Sequence, residues 1–88
     1  MWFVYIVECA DGSYYTGITT SIEKRISTHN IGKGSKYTRA RLPVVLIDYF
    51  SVKDRSIASK EEYKIKKMKR ANKLQYFRSK NEKKNKKR

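Results

Sequence analysis

The chain reads as a small α/β domain, a three-stranded antiparallel sheet flanked by helices, on three features of its sequence. Two runs rich in aromatic and β-branched residues, 2–8 (WFVYIVE) and 14–19 (YYTGIT), flank an Asp11-Gly12 pair, the composition of two strands joined by a hairpin turn. A nearly unbroken apolar run from Val44 to Phe50 follows Pro43 and reads as a third strand. Apolar residues at helical spacing fill 21–30, 56–70 and 72–79. Eighty-eight residues with 39% hydrophobic and 12% aromatic content support one modest core and are too apolar for a disordered chain. Residues 1–79 are expected to form the domain, with a basic tail over 80–88.

The hairpin register decides what chemistry the first two strands can hold. A three-residue loop of Ala10, Asp11 and Gly12, with Gly12 left-handed, pairs Cys9 with Ser13, Val7 with Tyr15 and Tyr5 with Gly17. Tyr5 and Tyr15 then share a face as diagonal neighbours, about 7–8 Å apart. Gly17, lacking a side chain, leaves room beside the Tyr5 ring. A two-residue loop would put the phenols on opposite faces, because one step of register turns every side chain over.

Thr20-Ser21-Ile22-Glu23 has the form of a capping box with Thr20 at the cap. It opens a helix from Ser21 to about Asn30, which Gly32 and Gly34 end. Ile22, Arg25, Ile26 and His29 fall on one broad face. That face packs on the sheet and carries Arg25 and His29 inward, where a cation needs a partner. Ordinary structural partners are open to both: Glu8 or Asp48 for Arg25, and the helix C-terminus for His29. In the following loop, 30–43, Lys33, Lys36, Arg39 and Arg41 are interleaved with glycines and Tyr37. Such a segment can track a phosphate backbone with Tyr37 stacked on a base, and it can also be a solvated basic connection. The Gly-x4-Gly-Lys-Ser/Thr pattern of a P-loop is absent from it.

The continuous apolar character of residues 44–50 predicts burial on both faces, a strand in the middle of the sheet or one covered by helices. Asp48 within it predicts a cation as partner. The second helix starts at Asp54 or Ser56 and runs to about 70, burying Ile57, Ala58, Ile65 and Met68 and turning Lys60, Lys64 and Lys67 outward. The spacing of Ala58, Glu62 and Ile65 sets Glu62 on the inward stripe, with Glu61 beside Ile57 at its edge; an intrahelical pair with Lys66 is the everyday use of such a residue. A short third helix, Asn72 to Ser79, buries Leu74 and Phe77. From Lys80 to Arg88 the chain is cationic with Glu82 the lone acid and no apolar residue, which predicts a disordered tail adding non-specific affinity for polyanions.

Twenty-two Lys and Arg against eight Asp and Glu give a net charge of +14. Self-repulsion of that size points to a polyanionic partner, nucleic acid first, although a ribosome-associated or merely soluble basic protein shares the composition. The N-terminal apolar run stops at Glu8, too short for a signal peptide or a membrane span. A cytoplasmic protein without membrane contact is expected. The single Cys9 can form neither an internal disulfide nor a structural zinc site and reads as a small buried strand residue.

Taken in order, Val4-Tyr5-Ile6, then Tyr15-Thr16-Gly17 with the tyrosines ten positions apart, then a helix bearing Arg25 and His29, resemble the GIY-YIG nuclease family and its small single-domain branch. The likeness spans about residues 2–77. It implies that Glu62, in the setting Lys60 to Lys67 (Lys-x-Glu-Tyr-x-Ile-Lys-Lys), is the metal-binding residue, and that Tyr37 is the residue following the first helix near the site. It further implies a divalent-metal-dependent endonuclease acting on nucleic acid, DNA ahead of RNA.

The residue types suit that chemistry. Phosphodiester hydrolysis needs an activated water, charge stabilisation on the phosphate and help for the leaving oxygen. A phenol of pKa near 10 is only about 0.1% ionised at pH 7, and a shift of two units would raise that to about 10%. A cationic site is expected to lower Tyr5 or Tyr15 in this way, making one of them the general base with His29 assisting. Arg25 holds the phosphate bidentately. Glu62 anchors one Mg²⁺ or Mn²⁺, weakly without substrate, because a single carboxylate argues against a two-metal site. Two rivals share the features: a nucleic-acid or ribosome-binding module without cleavage, and a nuclease active only with a protein partner that supplies specificity.

Overall fold

A computed structural model describes residues 1–85 and takes β1 (Trp2–Glu8) as its central strand. Val4, Tyr5, Ile6 and Val7 are all fully buried. Antiparallel partners lie on both sides of it, β2 (Tyr14–Thr19) and β3 (Val45–Val52), in the order β2-β1-β3. Alternation along β1 divides the core in two. Val4 and Ile6 pack with Phe50, Ala58, Ile65 and Phe77 beneath α3 (Arg55–Lys66) and α4 (Arg70–Asn85). Tyr5, Val7, Cys9 and Val44 pack with Ile22 and Ile26 of α1 (Ile22–Asn30) on the opposite face.

The hairpin adopts the three-residue loop. Tyr5 pairs with Gly17 and Val7 with Tyr15, the Cys9 amide donates to the Ser13 carbonyl at 2.8 Å, and Gly12 has φ +85°. The Asp11 carboxylate accepts from the Ser13 amide and hydroxyl at 3.0 and 2.6 Å, fixing the turn. Both tyrosines therefore lie on the α1 face.

Several expectations are corrected. β3 is an edge strand, not a central one. Val45, Ile47 and Tyr49 are 60%, 40% and 44% exposed, because β3 pairs on one side only, with β1, and the helices cover it only around Phe50 and Leu46. An apolar run reports β-propensity as well as burial, and here the burial belongs to β1. Asp48 accepts from the Asn81 amide at 2.9 Å rather than from a cation. The cap of α1 is Ser21, not Thr20: its hydroxyl accepts from the Lys24 amide at 3.4 Å. The 30–43 segment contains a short helix, α2 (Lys36–Arg39), capped by Ser35.

Asp54 caps α3, which ends at Lys66, and Ile57 is 38% exposed rather than buried. Helix α4 extends well past Ser79, through the first part of the segment expected to be a disordered tail. Contacts back to the body hold this extension in place. Asn81 reaches Asp48 and the Tyr49 carbonyl (3.1 Å), and Lys80 reaches Glu61 at 3.4 Å. Residues 86–88 of the expected tail lie outside the described residues. Among the described residues, no helix is long and apolar enough to cross a membrane.

Phe77 is fully buried against Phe50, ring centroids 5.2 Å apart. Phe77→Ala is expected to cost about 3–5 kcal/mol, read as a lowered urea midpoint. A loss under 1 kcal/mol would mean that α4 is not part of the folded core.

Candidate active site

Strand register and helix periodicity bring four of the singled-out residues together on the α1 face. Tyr5, at the centre of β1, has its hydroxyl 2.7 Å from His29 Nε2 and accepts from Arg25 Nε at 3.2 Å. Arg25 and His29 lie one turn apart on α1. Arg25 also donates from Nη2 to the Gly34 carbonyl at 3.1 Å. Neither ordinary structural role is used: Arg25 pairs with neither Glu8 nor Asp48, and the His29 ring points inward rather than closing its helix.

Hydrogen-bond bookkeeping favours one direction for this chain. Arg25 can only donate, so the Tyr5 oxygen accepts from it, and among the described contacts His29 Nε2 is the acceptor open to the buried phenolic proton. The imidazole then carries its proton on Nδ1 and donates to Thr38 Oγ1, 2.8 Å away. Thr38 in turn lies 3.0 Å from Ser35 Oγ. Tyr5, His29 and Thr38 are all fully buried. Two glycines make room: a Cβ at Gly17 would collide with the Tyr5 hydroxyl, and one at Gly34 would collide with the His29 ring. Gly34, Ser35 and Thr38 escaped the sequence reading. The Ser-x-x-Thr spacing of a helix cap was the available signal, but nothing local said that Thr38 would meet a ring from α1.

Burial dominates the electrostatics. The Tyr5 phenol is pushed up to about 12, chiefly by loss of solvent, with the Arg25 hydrogen bond and charge only partly opposing. His29 is pushed down to about 4, first by burial and then by the Arg25 charge. Both are neutral at pH 7. The expected lowering by a cationic site does not occur at Tyr5, because desolvation outweighs one guanidinium.

Tyr15 is placed differently. It is only partly buried, lies edge-on to His29 (centroids 5.4 Å apart, planes at 72°) and stacks on Tyr37 at 6.0 Å. The Lys66 ammonium sits 5.3 Å from its ring centroid. Tyr14, Tyr15, Thr16, Tyr37, Lys66 and Lys73 line a cleft of about 350 Å³. The Thr16 hydroxyl is buried and has no hydrogen-bond partner among the described residues. A larger hollow, about 630 Å³ along α4, shares no residue with this cleft.

The loop residues divide. Lys33, Lys36 and Arg39 are exposed and make no ion pair among the described residues. Arg41 is taken up within the fold: Nε donates to Asp11 at 3.0 Å, Nη1 donates to the Tyr37 carbonyl at 2.8 Å, and its guanidinium lies 3.9 Å over the Tyr37 ring. With Arg41 over its ring and Tyr15 stacked on it, Tyr37 has little free face for a base. The basic lining of the cleft beside the site instead comes from Lys66 and Lys73, which sequence reasoning had not singled out for it.

Glu61 and Glu62 part company across α3. Glu61 accepts from the Tyr76 hydroxyl at 2.5 Å and from Lys80. Glu62 is a quarter exposed, with Oε2 3.4 Å from Lys66 Nζ, and its charge acts on Tyr5. Among the described residues no group of three or more His, Cys, Asp or Glu gathers. A lone carboxylate whose second oxygen has no protein partner among the described residues fits one hard, mostly hydrated cation completed by substrate oxygens. It does not fit an all-protein metal cage.

The family model described as the GIY-YIG catalytic domain matches residues 1–75. A UPF0213 protein of Desulfotalea psychrophila is 59% identical over 68 residues, 76% of this chain and 62% of that one; the chain thus spans under two thirds of that relative. A UPF0213 protein of Bacillus cereus is 55% identical over 83% of this chain and 76% of its own. Solution NMR structures of a UPF0213 protein from Bacillus halodurans (44% identity, TM-score 0.54, 86% of this chain and 82% of that one) and of a protein from E. faecalis (42%, TM-score 0.60, 88% and 82%) share the fold.

The His29 environment has a pH signature. Its folded-state value of about 4 lies below the ordinary 6.5, so between these values the unfolded chain binds the extra proton. Stability from this group is complete above about pH 6.5 and is lost as pH falls toward 4, about 3 kcal/mol in all. Urea unfolding from pH 7.5 to 4 should show this slope in the wild type and not in His29→Gln. Equal slopes would mean His29 is not held neutral.

Proposed function

Because the chain belongs to the GIY-YIG catalytic-domain family, we propose that it is a divalent-metal-dependent endonuclease hydrolysing phosphodiester bonds in nucleic acid, DNA ahead of RNA. The observation that carries this reading is the buried Arg25–Tyr5–His29–Thr38 chain opening, through Tyr15 and Glu62, onto a cleft with Lys66 and Lys73. A module that only binds nucleic acid needs positive charge. It has no use for a buried string of hydrogen bonds behind a guanidinium with a glycine at each of two crowded points.

The roles follow from exposure. A general base must touch water, and Tyr5 has no exposed surface. Tyr15 borders the cleft and is the phenol that meets the attacking water. Arg25 and Lys66 lie against it and favour the negative charge that develops on its oxygen. Tyr5 and the Gly34 carbonyl hold Arg25 by one edge, leaving its remaining N–H groups for the non-bridging phosphate oxygens. As Arg25 pairs with phosphate, part of the charge that holds His29 low is cancelled, and the imidazole becomes a better proton acceptor. A divalent ion held by Glu62, with Mg²⁺ or Mn²⁺ the natural choices, would supply Lewis-acid stabilisation of the phosphate and leaving oxygen.

The test is cleavage of plasmid and branched oligonucleotides with Mg²⁺ or Mn²⁺. Glu62→Gln and Arg25→Ala are each expected to slow cutting by about 10²–10³. Tyr15→Phe should slow it by about 10²–10⁴ with the melting temperature unchanged. Tyr5→Phe should lower both rate and melting temperature, since it strips a buried partner from His29 and Arg25. Binding without cutting, equal in all variants, would instead establish the non-cleaving module.

A further inference from the structure

Lys66 sits where a lysine at the end of an exposed helix has no need to be. Its neighbours turn elsewhere, Lys64 to the Tyr76 hydroxyl (3.4 Å) and Lys67 over the Tyr63 ring (4.3 Å). Lys66 alone of these three reaches the candidate site, 3.4 Å from Glu62 and over Tyr15, and it lines the cleft with Lys73. As a plain i,i+4 pair it would contribute only a few tenths of a kcal/mol. Its position at the one carboxylate facing the site makes it more than that. A divalent ion approaching the free oxygen of Glu62 meets an ammonium already paired with the other oxygen of the same carboxylate, and like charges a few ångströms apart repel. Once freed from Glu62, the same ammonium lies in a cleft with a second lysine, which is a setting for a phosphate oxygen.

We propose that Lys66 is a stand-in cation: it holds Glu62 in the metal-free protein and turns to a substrate phosphate, beside Lys73, when a divalent ion takes the carboxylate. This deepens the proposed function and rests on Glu62 being the metal ligand. Metal and nucleic acid then bind with positive coupling, each relieving the other of a misplaced charge. The free protein keeps a neutralised site that binds metal weakly.

The test is Mn²⁺ titration of the full chain without nucleic acid, following free Mn²⁺ by EPR, for wild type, Lys66→Met, Lys66→Gln and Glu62→Gln. Both Lys66 variants should bind Mn²⁺ tighter, on the order of three- to tenfold, and Glu62→Gln should lose the site. A second readout is the salt dependence of DNA oligonucleotide binding by fluorescence anisotropy. With Ca²⁺ present, Lys66→Met should reduce the log–log slope by about 0.7–0.9. Without metal, where Lys66 is engaged by Glu62, it should leave the slope nearly unchanged. Unaltered Mn²⁺ affinity in both Lys66 variants, with the site lost in Glu62→Gln, would overturn the stand-in role while leaving Glu62 as the ligand. Mn²⁺ binding indifferent to Glu62→Gln would overturn the stand-in role and the metal assignment together.

Discussion

The hydrogen bond from the Tyr5 phenol to His29 Nε2, 2.7 Å long and sealed from water, is the constraint on which the arrangement depends. A buried phenol or imidazole without a partner costs about 1–3 kcal/mol, so each group obliges the other to stay. Meeting that obligation requires β1 to be the central strand and α1 to present Arg25 and His29 one turn apart. It also requires Gly17 and Gly34 to leave space, and α2 to deliver Thr38 to the far nitrogen of the ring. The second exit of the chain runs through Arg25, whose guanidinium is held by the same phenol.

The sheet divides its labour between faces. One face, under α3 and α4, supplies the larger apolar core of Val4, Ile6, Phe50, Ile65 and Phe77. The other gives over part of its burial to polar groups that only pair with one another. Helix α3 serves both. Glu61 faces α4, where Tyr76 and Lys80 hold it. Glu62, one residue and about 100° further round, meets Lys66 at the edge of the Tyr15 cleft, and its charge is felt at Tyr5. A single step in helix phase separates a packing carboxylate from the one available to chemistry.

Much of this was legible in the chain. Asp-Gly between two β-rich runs marked the hairpin, and of the two registers it left open the three-residue loop, which the fold adopts, puts Tyr5 and Tyr15 on one face. Helical spacing put Arg25 and His29 on that same face and Glu62 inward. What was not legible is non-local. The apolar composition of β3 does not say that it lies at an edge, since that depends on which strand the helices cover. Thr38 and Gly34 acquire their roles only once the chain after α1 folds back over His29. Arg41 looks like a free cation until Asp11 and Tyr37 meet it across the fold. The proton affinity of Tyr5 also followed from depth rather than from the charge count: a +14 chain suggests an easily ionised phenol, whereas burial makes it a stubborn one. Residues 80–85 read as a tail because their composition lacks apolar groups, yet the helix is anchored at their start through Lys80 and Asn81.

The most direct test of the buried chain is the protonation state of one ring. Nitrogen-15 NMR of the imidazole of His29 at pH 7 should find a neutral ring with the proton on Nδ1 and a bare, hydrogen-bonded Nε2, persisting until the pH approaches about 4. A ring protonated on Nε2 instead, or an imidazolium at neutral pH, would contradict the Tyr5-to-His29 direction on which the account is built.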